Sequence, residues 1–182
     1  MPVVGYFTAE IGLWSELHTY SGGLGVLAGD HVKSAADAGI PLVGVTLLYH
    51  QGYARQHIDS NGIQTETFPE FDPNKHLTKT DVTITLALDG QTLSAHVWKA
   101  DIIGQTGHVV PVYFIDTRHD SNTSEHQSLS SRLYGGDDDM RIRQEFVLGV
   151  GGVQLFDHLD VEMQGLHLNE GHCTFAMLEL LN

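Results

Sequence analysis

The sequence predicts an α/β fold built on a parallel sheet with flanking helices. Continuous apolar runs at 41–49 and 109–116 are typical of strands that are covered on both faces, as in a parallel sheet. A strand at 2–8, a glycine-rich turn, a helical pattern over 24–38 and the run at 41–49 follow in the order of a βαβ unit. A Rossmann-like sheet is therefore expected.

The first helix is expected to end at Gly39, because glycine accepts the left-handed backbone that often terminates a helix. Residues 50–78 are polar and irregular, with a turn at Asn61-Gly62. Alternating apolar residues on both sides of Asp89-Gly90 predict an inserted β-hairpin. Residues 117–136 are interpreted as a surface loop.

A second helix is predicted from Asp137, where three successive aspartates suit the positive end of the helix dipole. Its glycines are interpreted as sites of close packing: Gly149, Gly151 and Gly152. A short strand at 166–168 is expected to precede a turn and a last helix that begins near His172. That helix has no terminating signal in the sequence, so we expect the chain to be cut inside it.

Composition limits the class of protein. The 182 residues are expected to form one domain, 1–182, and the net charge of −14 disfavours a nucleic-acid partner. No apolar run is long enough to span a bilayer, so no membrane partner is expected. Cys173 is the single cysteine and cannot form an internal disulfide, which predicts a cytoplasmic protein.

The glycine-rich segment Gly22-Gly23-Leu24-Gly25 comes directly before the first helical pattern. Its spacing fits the dinucleotide fingerprint, but no acidic residue follows at the distance that a ribose contact needs. It also lacks the Lys-Ser/Thr pair of a Walker loop. Two interpretations remain open: a purely structural turn, or a backbone site for another anion at the helix N-terminus.

A second cluster of polar residues follows the short strand near the end of the chain: His167, Asn169, Glu170 and His172. Ligands bind at this edge in open α/β sheets. The spacing is not that of a metal motif, and no metal site is predicted. Asn169 could instead cap the following helix, and that function is compatible with ligand binding.

Glu10 follows the first predicted strand and is either an exposed acid or a carboxylate that points into the same edge. Most of the ten remaining histidines are expected at the surface, because none has ligand spacing. Cys173 has only His172 as a neighbouring candidate to activate it, so a cysteine nucleophile is not expected.

Four segments occur in one order and together resemble the α-glucan (glycogen, starch) phosphorylases, especially the short bacterial and archaeal type: YFTAEIGL, YSGGLGVLAGDHVKSAADAGIPLVGVTLLYHQGYARQ, RLYGGDDDMRIRQEFVLGVGG and HLNEGHCTFAMLEL. The resemblance covers nearly the whole chain. It implies a GT-B glycosyltransferase with two Rossmann-like domains and a cleft between them. It also implies phosphorolysis of terminal α-1,4-glucosyl units by orthophosphate, which gives glucose 1-phosphate with retention.

By this resemblance, the backbone of Gly22, Gly23, Leu24 and Gly25 faces the substrate phosphate and the sugar. Glu10, Glu170 and His172 then line the glucose end of the cleft, and Asn169 belongs to the same binding set. The family uses pyridoxal phosphate on a lysine of its C-terminal domain. The lysines here do not stand in that motif: Lys33, Lys75, Lys79 and Lys99.

We therefore expect part of the N-terminal domain of a phosphorylase, inactive alone, whose partner is the missing C-terminal half or another copy of the chain. The alternative expectation is a non-catalytic module that binds carbohydrate or phosphate.

Overall fold

The computed structural model of the protein describes residues 3–181. Pro2, assigned above to the first strand, and Asn182, at the end of the last predicted helix, lie outside the described residues. The elements are β1 (Val3–Thr8), α1 (Gly23–Ala38), β2 (Leu42–Leu47), β3 (Arg55–Ile58), β4 (Gln64–Thr67), β5 (Thr78–Leu88), β6 (Gln91–Ile103), β7 (Val109–Asp116), α2 (Ser124–Ser128), α3 (Asp138–His158), β8 (Met163–Asn169) and α4 (Phe175–Glu179).

The main sheet has six strands in the order β5-β6-β7-β2-β1-β8. The α/β class is confirmed, but the sheet is mixed. Strands β7, β2, β1 and β8 run parallel, whereas β5 and β6 are antiparallel to each other and β6 is antiparallel to β7. A connection as short as the one between β6 and β7 can reverse the chain but cannot make a parallel crossover. Strands β5 and β6 meet at Asp89 and Gly90, which both have positive φ.

Helices cover both faces of the parallel strands. Helix α1 packs Ala28 and Val32 on the face that carries Tyr6, and it ends at Gly39, whose φ is 69°. Helix α3 covers the opposite face, where a Cβ at Gly152 would lie 2.3 Å from the Phe7 ring. The predicted close packing at this glycine is confirmed.

The close contact at Gly149 is with the last helical segment and not with the sheet. A Cβ at Gly149 would lie 2.6 Å from the Phe175 Cβ and 2.6 Å from the Ala176 nitrogen. At Gly151 the nearest atom to such a Cβ is a methyl group of Leu86 at 3.4 Å, an ordinary contact distance. The three glycines therefore differ in how strongly packing requires them.

Two segments that were interpreted as irregular contain regular structure. Residues 50–78 include the two-stranded antiparallel ribbon β3–β4, with Asn61 and Gly62 in its turn, and a short 3₁₀ helix at Pro73–Lys75. The ribbon is exposed on both strands, so its sequence carries no apolar alternation by which it could be predicted.

The interpretation of 117–136 as a surface loop is wrong. The segment contains α2, and six of its residues are buried: Thr117, Asn122, His126, Leu129, Ser130 and Leu133. Its polar side chains bond to buried partners; for example, the Asn122 amide donates to the carbonyls of Ser94 and Thr117. Polar composition predicts exposure only where such partners are absent.

The end of the chain also differs from expectation. Strand β8 extends over seven residues, and a 3₁₀ turn at Gly171–Cys173 precedes the five-residue helix α4. Among the described residues, no helix combines the length and the apolar content needed to cross a membrane.

Candidate functional site

Several polar side chains converge where the parallel strands end. The carboxyl ends of β1, β2 and β8 meet at one edge of the sheet, and helix α3 passes over that edge. Between them lies a small cleft, lined by Ala9, Leu47, Tyr49, Tyr134, Arg141, Gln144, Glu145, Leu148 and His172. This is the edge at which ligands bind in open α/β sheets.

Glu10 follows β1 and is 2% exposed, which excludes the interpretation as an exposed acid. Its Oε2 accepts a hydrogen bond from the Ser21 amide at 2.5 Å, and its Oε1 accepts one from the Tyr134 hydroxyl at 3.3 Å. The bond from Ser21 joins the end of β1 to the glycine-rich segment. The bond from Tyr134 joins the end of β1 to a residue that lines the cleft.

Tyr134 was not singled out from the sequence. It lies in a turn before α3, with φ of 56°, and Asp137 caps the helix by accepting from the Met140 amide at 3.0 Å. Burial and the neighbouring Glu10 carboxylate raise the pKa of the Tyr134 hydroxyl. The hydroxyl therefore stays protonated at neutral pH and serves as a hydrogen-bond donor.

His172 follows β8 and faces Tyr134, with 5.9 Å between the two ring centroids. Its Nε2 lies 2.9 Å from Nη2 of Arg141, a residue of the first turn of α3. Arg141 also donates to Glu145 at 3.1 Å. The Nδ1 atom of His172 is shielded from solvent and has no hydrogen-bond partner among the described residues. The cleft therefore offers a carboxylate, a phenol, an imidazole and a guanidinium.

The glycine-rich segment divides into an open part and a packed part. Gly22 is the N-cap residue of α1, and neither Gly22 nor Gly23 has an atom of the described residues, beyond its chain neighbours, within 4 Å of the place where a Cβ would lie. Gly25 is buried, and its Cβ would lie 2.3 Å from the Tyr20 Cβ and 3.1 Å from Oε2 of Glu10. Packing therefore requires glycine at Gly25, while Gly22 and Gly23 face open space.

The N-terminus of α1 has no side-chain cap and no acidic residue in its first turn. Its first amides, near Gly22, Gly23 and the half-buried Leu24, thus lack the side-chain acceptors that often satisfy them. Such an end can accept an anion.

Asn169 is buried but does not cap a helix. Its side-chain amide donates to the Thr8 hydroxyl at 3.0 Å and so joins the end of β8 to the end of β1. The N-cap position belongs to Glu170, which makes no side-chain cap hydrogen bond. The capping alternative for Asn169 is therefore wrong.

Glu170 is exposed and has φ of 72° and ψ of 172°. This backbone region is almost restricted to glycine. Glu170 does not line the cleft, whereas His172, two residues further on, does.

The histidines are more buried than the sequence suggested. Of the ten that were expected mainly at the surface, His50 and His126 are buried and only His57, His76 and His158 are exposed. Within residues 3–181, no group of three or more histidine, cysteine or acidic side chains is arranged to hold a metal ion. Burial raises the pKa of Cys173 to about 12, so its thiol remains protonated and is a poor nucleophile.

Comparison with known proteins identifies relatives that align with nearly the whole chain. The chain is 38% identical over 182 residues to the maltodextrin phosphorylase of Thermococcus litoralis and 40% identical over 189 residues to the glycogen phosphorylase of Mycobacterium tuberculosis. These alignments cover 96% and 97% of this chain, and each covers 21% of the relative. The glycogen phosphorylase of Aquifex aeolicus is 36% identical, with 97% of this chain and 26% of that protein covered.

No family model matches the chain. The chain spans about a fifth of the length of the first two relatives, which are 21% covered. Over nearly all of its residues it is therefore homologous to one segment of the maltodextrin and glycogen phosphorylases, and the resemblance predicted from its four motifs is confirmed.

Proposed function

We propose that this chain forms part of the N-terminal domain of an α-glucan phosphorylase, an enzyme that uses orthophosphate to release glucose 1-phosphate from the ends of α-1,4-glucans. One observation carries the proposal. In a segment homologous to phosphorylases, Tyr134, Arg141 and His172 line one cleft at the carboxyl edge of the sheet, and the buried Glu10 bonds both to Tyr134 and to the loop before α1.

The glycine-rich segment is proposed to bind the substrate phosphate through backbone amides. The open space at Gly22 and Gly23 supports this assignment, because chain packing gives no reason for glycine there. Leu24 and Gly25 continue the same segment into the first turn of α1. An anion at this end would interact favourably with the helix dipole.

The glucose end of the site is proposed to include Glu10, His172 and Glu170. A sugar presents many hydroxyl groups, and a carboxylate, an imidazole and a phenol can accept from and donate to them. Asn169 contributes indirectly in this proposal, because its bond to Thr8 holds β8 against β1 just before Glu170 and His172.

Pyridoxal phosphate is proposed to belong to the complete enzyme and to bind outside this chain. None of the four lysines lines the cleft, and Lys99 is paired with Asp101 at 2.8 Å. The residues of the cleft therefore provide no amine for a Schiff base, and no step through the cofactor follows from them. The complete protein is proposed to be a cytoplasmic GT-B enzyme in which β5–β6 is an insertion.

The missing half of the active site is proposed to come from a second domain or another copy of the chain, so this chain alone is inactive. The alternative is a non-catalytic module that binds glucan or phosphate, and the open N-terminus of α1 favours it as a second candidate. Both proposals predict binding at the cleft, but only the first predicts that the chain can complete an enzyme.

A chimera separates these two candidates. This chain would replace the matching segment of the Thermococcus litoralis maltodextrin phosphorylase, and glucose 1-phosphate release from maltodextrin would be measured. We expect phosphorolysis by the chimera and a loss of at least about tenfold on Glu10→Gln, because the charge of the carboxylate is lost at unchanged size. Arg118→Ala, in a surface ion pair with Glu70, is the matched control and should not change the rate.

A folded but inactive chimera that still binds maltodextrin would favour the binding module. Glucose 1-phosphate from the isolated chain would contradict the proposal that it is inactive alone.

A further inference from the structure

A second cavity lies beside the turn that carries Tyr134. It measures about 590 Å³ and is open to solvent; among its lining residues are Gln51, Ser131, Arg132, Gly135 and Gly136. Apart from Gln144, which contacts both, its lining differs from that of the cleft near Glu10. The function proposed above does not use it.

Arg132 is held in one orientation on the wall of this cavity. Its guanidinium carbon lies 4.0 Å from the centroid of the Phe68 ring, and its Nε donates to Oε1 of Gln51 at 2.7 Å. A Cβ at Gly135 would come within 2.7 Å of the Arg132 Cβ, so glycine leaves the room that the side chain needs. Stacking and a hydrogen bond thus restrict an otherwise flexible side chain before any ligand arrives.

The backbone of Arg132 is fixed as well. Its carbonyl accepts from the Gln144 side chain at 3.1 Å, and the next amide, of Leu133, donates to the Gly52 carbonyl at 3.1 Å. A ligand would therefore lose little affinity to the ordering of this side chain or its turn.

The terminal nitrogens of Arg132 have no acceptor within the part of the chain that the structure describes. In a protein of net charge −14, three of the other four arginines pair with acidic residues, and the fourth, Arg55, contacts His18. Arg143 contacts Asp89, Glu125 and Asp139. Arg118 pairs with Glu70, and Arg141 pairs with Glu145. Arg132 is exposed, lines the cavity, and has no carboxylate partner among the described residues.

We propose that Arg132 is the centre of a second anion site, which binds a dianionic phosphate group, either orthophosphate or a phosphate ester. The two terminal nitrogens match two phosphate oxygens in a bidentate contact. The hydroxyl of Ser131 and the backbone at Gly135–Gly136 line the same cavity and can donate further hydrogen bonds. The site is separate from the glycine-rich segment before α1, and it does not depend on the proposed enzymatic function.

The test follows the side-chain Nε–H resonance of Arg132 by ¹H–¹⁵N NMR while the whole chain is titrated with orthophosphate or with glucose 1-phosphate at constant ionic strength. We expect a saturable shift in the millimolar range or below. Calorimetry on the variants should show phosphate affinity at this site falling by at least about tenfold in Arg132→Ala. Arg132→Lys keeps the charge but loses the two parallel N–H donors of the guanidinium. Its phosphate affinity should therefore fall less, by about threefold.

Arg118→Ala removes a positive charge elsewhere and should leave the Arg132 shift unchanged. Tighter binding of glucose 1-phosphate would identify an ester site, and tighter binding of orthophosphate would identify a site for the free anion. The proposal is overturned if the Arg132 resonance does not move up to about 20 mM ligand. Equal phosphate affinity of Arg132→Ala and Arg118→Ala would overturn it too.

Discussion

Glu10 and Asp116 are two carboxylates at the same edge of the sheet, and each is 2% exposed. Asp116 accepts from the His50 ring at 2.9 Å, the Trp98 indole at 3.0 Å, the Ser130 hydroxyl at 3.1 Å and the Arg118 amide at 2.9 Å. Glu10 accepts from one amide and one phenol, the latter at 3.3 Å.

The two carboxylates differ in how many of their acceptor positions are filled by hydrogen-bond donors of the protein. A carboxylate has about four acceptor positions. Those of Asp116 are filled by donors from several segments, so it joins these segments to each other. Those of Glu10 are partly filled, and its Oε1 accepts from Tyr134, which lines the cleft. The two carboxylates are equally buried, but Asp116 has a structural function and Glu10 has a proposed binding function.

The largest effect is expected for Asp116→Ala. The variant leaves the buried donors of His50, Trp98 and Ser130 without their acceptor, and each buried unsatisfied donor costs about 1–3 kcal/mol. We expect the free energy of unfolding in urea to fall by about 3 kcal/mol or more. Glu10→Gln keeps one acceptor oxygen, for the Ser21 amide, and the Tyr134 hydroxyl can accept from the new side-chain N–H, so this variant should cost about 1 kcal/mol. Equal losses in the two variants would break the comparison.

Acid should destabilise the protein through Asp116. Burial opposes ionisation of this carboxyl, but the hydrogen bond and charge of His50, with the Arg118 and Trp98 donors, outweigh burial and hold its pKa below 3.8. Because the folded-state pKa is the lower one, the stabilisation is complete above pH 3.8 and is lost as the pH falls from there through the folded-state value.

Urea unfolding measured across that acid range should show a decline that is smaller in Asp116→Asn, which cannot ionise. Glu70→Gln, at an exposed ion pair, is the control and should keep the decline of the parent chain. An identical acid decline in Asp116→Asn and the parent would exclude Asp116 as its source.

The third prediction concerns the glycine that lets Glu10 reach its partners. In Gly25→Ala the new methyl group would lie 2.3 Å from the Tyr20 Cβ and 3.1 Å from Oε2 of Glu10. Such overpacking typically costs about 1–3 kcal/mol, and we expect about 2 kcal/mol in urea unfolding, with weaker maltodextrin binding by the chimera.

Gly23→Ala is the matched control in the same helix. Its methyl group would enter open space, and alanine should stabilise the helix by about 0.5 kcal/mol. If Gly23→Ala also weakens phosphate binding, the amide of that turn approaches the anion closely, as proposed. A loss of stability in Gly23→Ala equal to that in Gly25→Ala would contradict the division of the segment into open and packed parts.

Local signals predicted much of this fold. The apolar run of β7, the beginning of α3 at Asp137 and the helix end at Gly39 each depend on a few adjacent residues, and all are present. Contacts between distant residues were not predictable in the same way. Asp116 and His50 are 66 positions apart, and neither stands in a motif of its own.

The candidate site follows the same rule. Glu10 and His172 could be identified because each follows a predicted strand, and the carboxyl ends of parallel strands share an edge. Tyr134 and Arg141 lie in segments interpreted as a loop and a helix, 124 and 131 residues from Glu10, and only the packing of α3 over the sheet brings them to the cleft. Their one sequence signal is that both lie in the motif RLYGGDDDMRIRQEFVLGVGG.

The smallest effect is expected at a third carboxylate, Glu170, which differs from the other two in being exposed and in its backbone. With φ of 72° and ψ of 172°, it adopts a conformation that costs a residue with a Cβ about 1–3 kcal/mol. Glu170→Gly should therefore raise the free energy of unfolding by about 1 kcal/mol, after the greater chain entropy of glycine is subtracted.

Glu170→Ala retains the Cβ and should give no gain, so it separates backbone strain from loss of the charge. If the chimera loses maltodextrin phosphorolysis in Glu170→Gly while the chain becomes more stable, the strained carboxylate contributes to the active site at the expense of stability. If stability does not rise, contacts in the neighbouring turn must hold residue 170 in this conformation whether it is glutamate or glycine. One such contact is the hydrogen bond that the Thr174 hydroxyl donates to the Gly171 carbonyl.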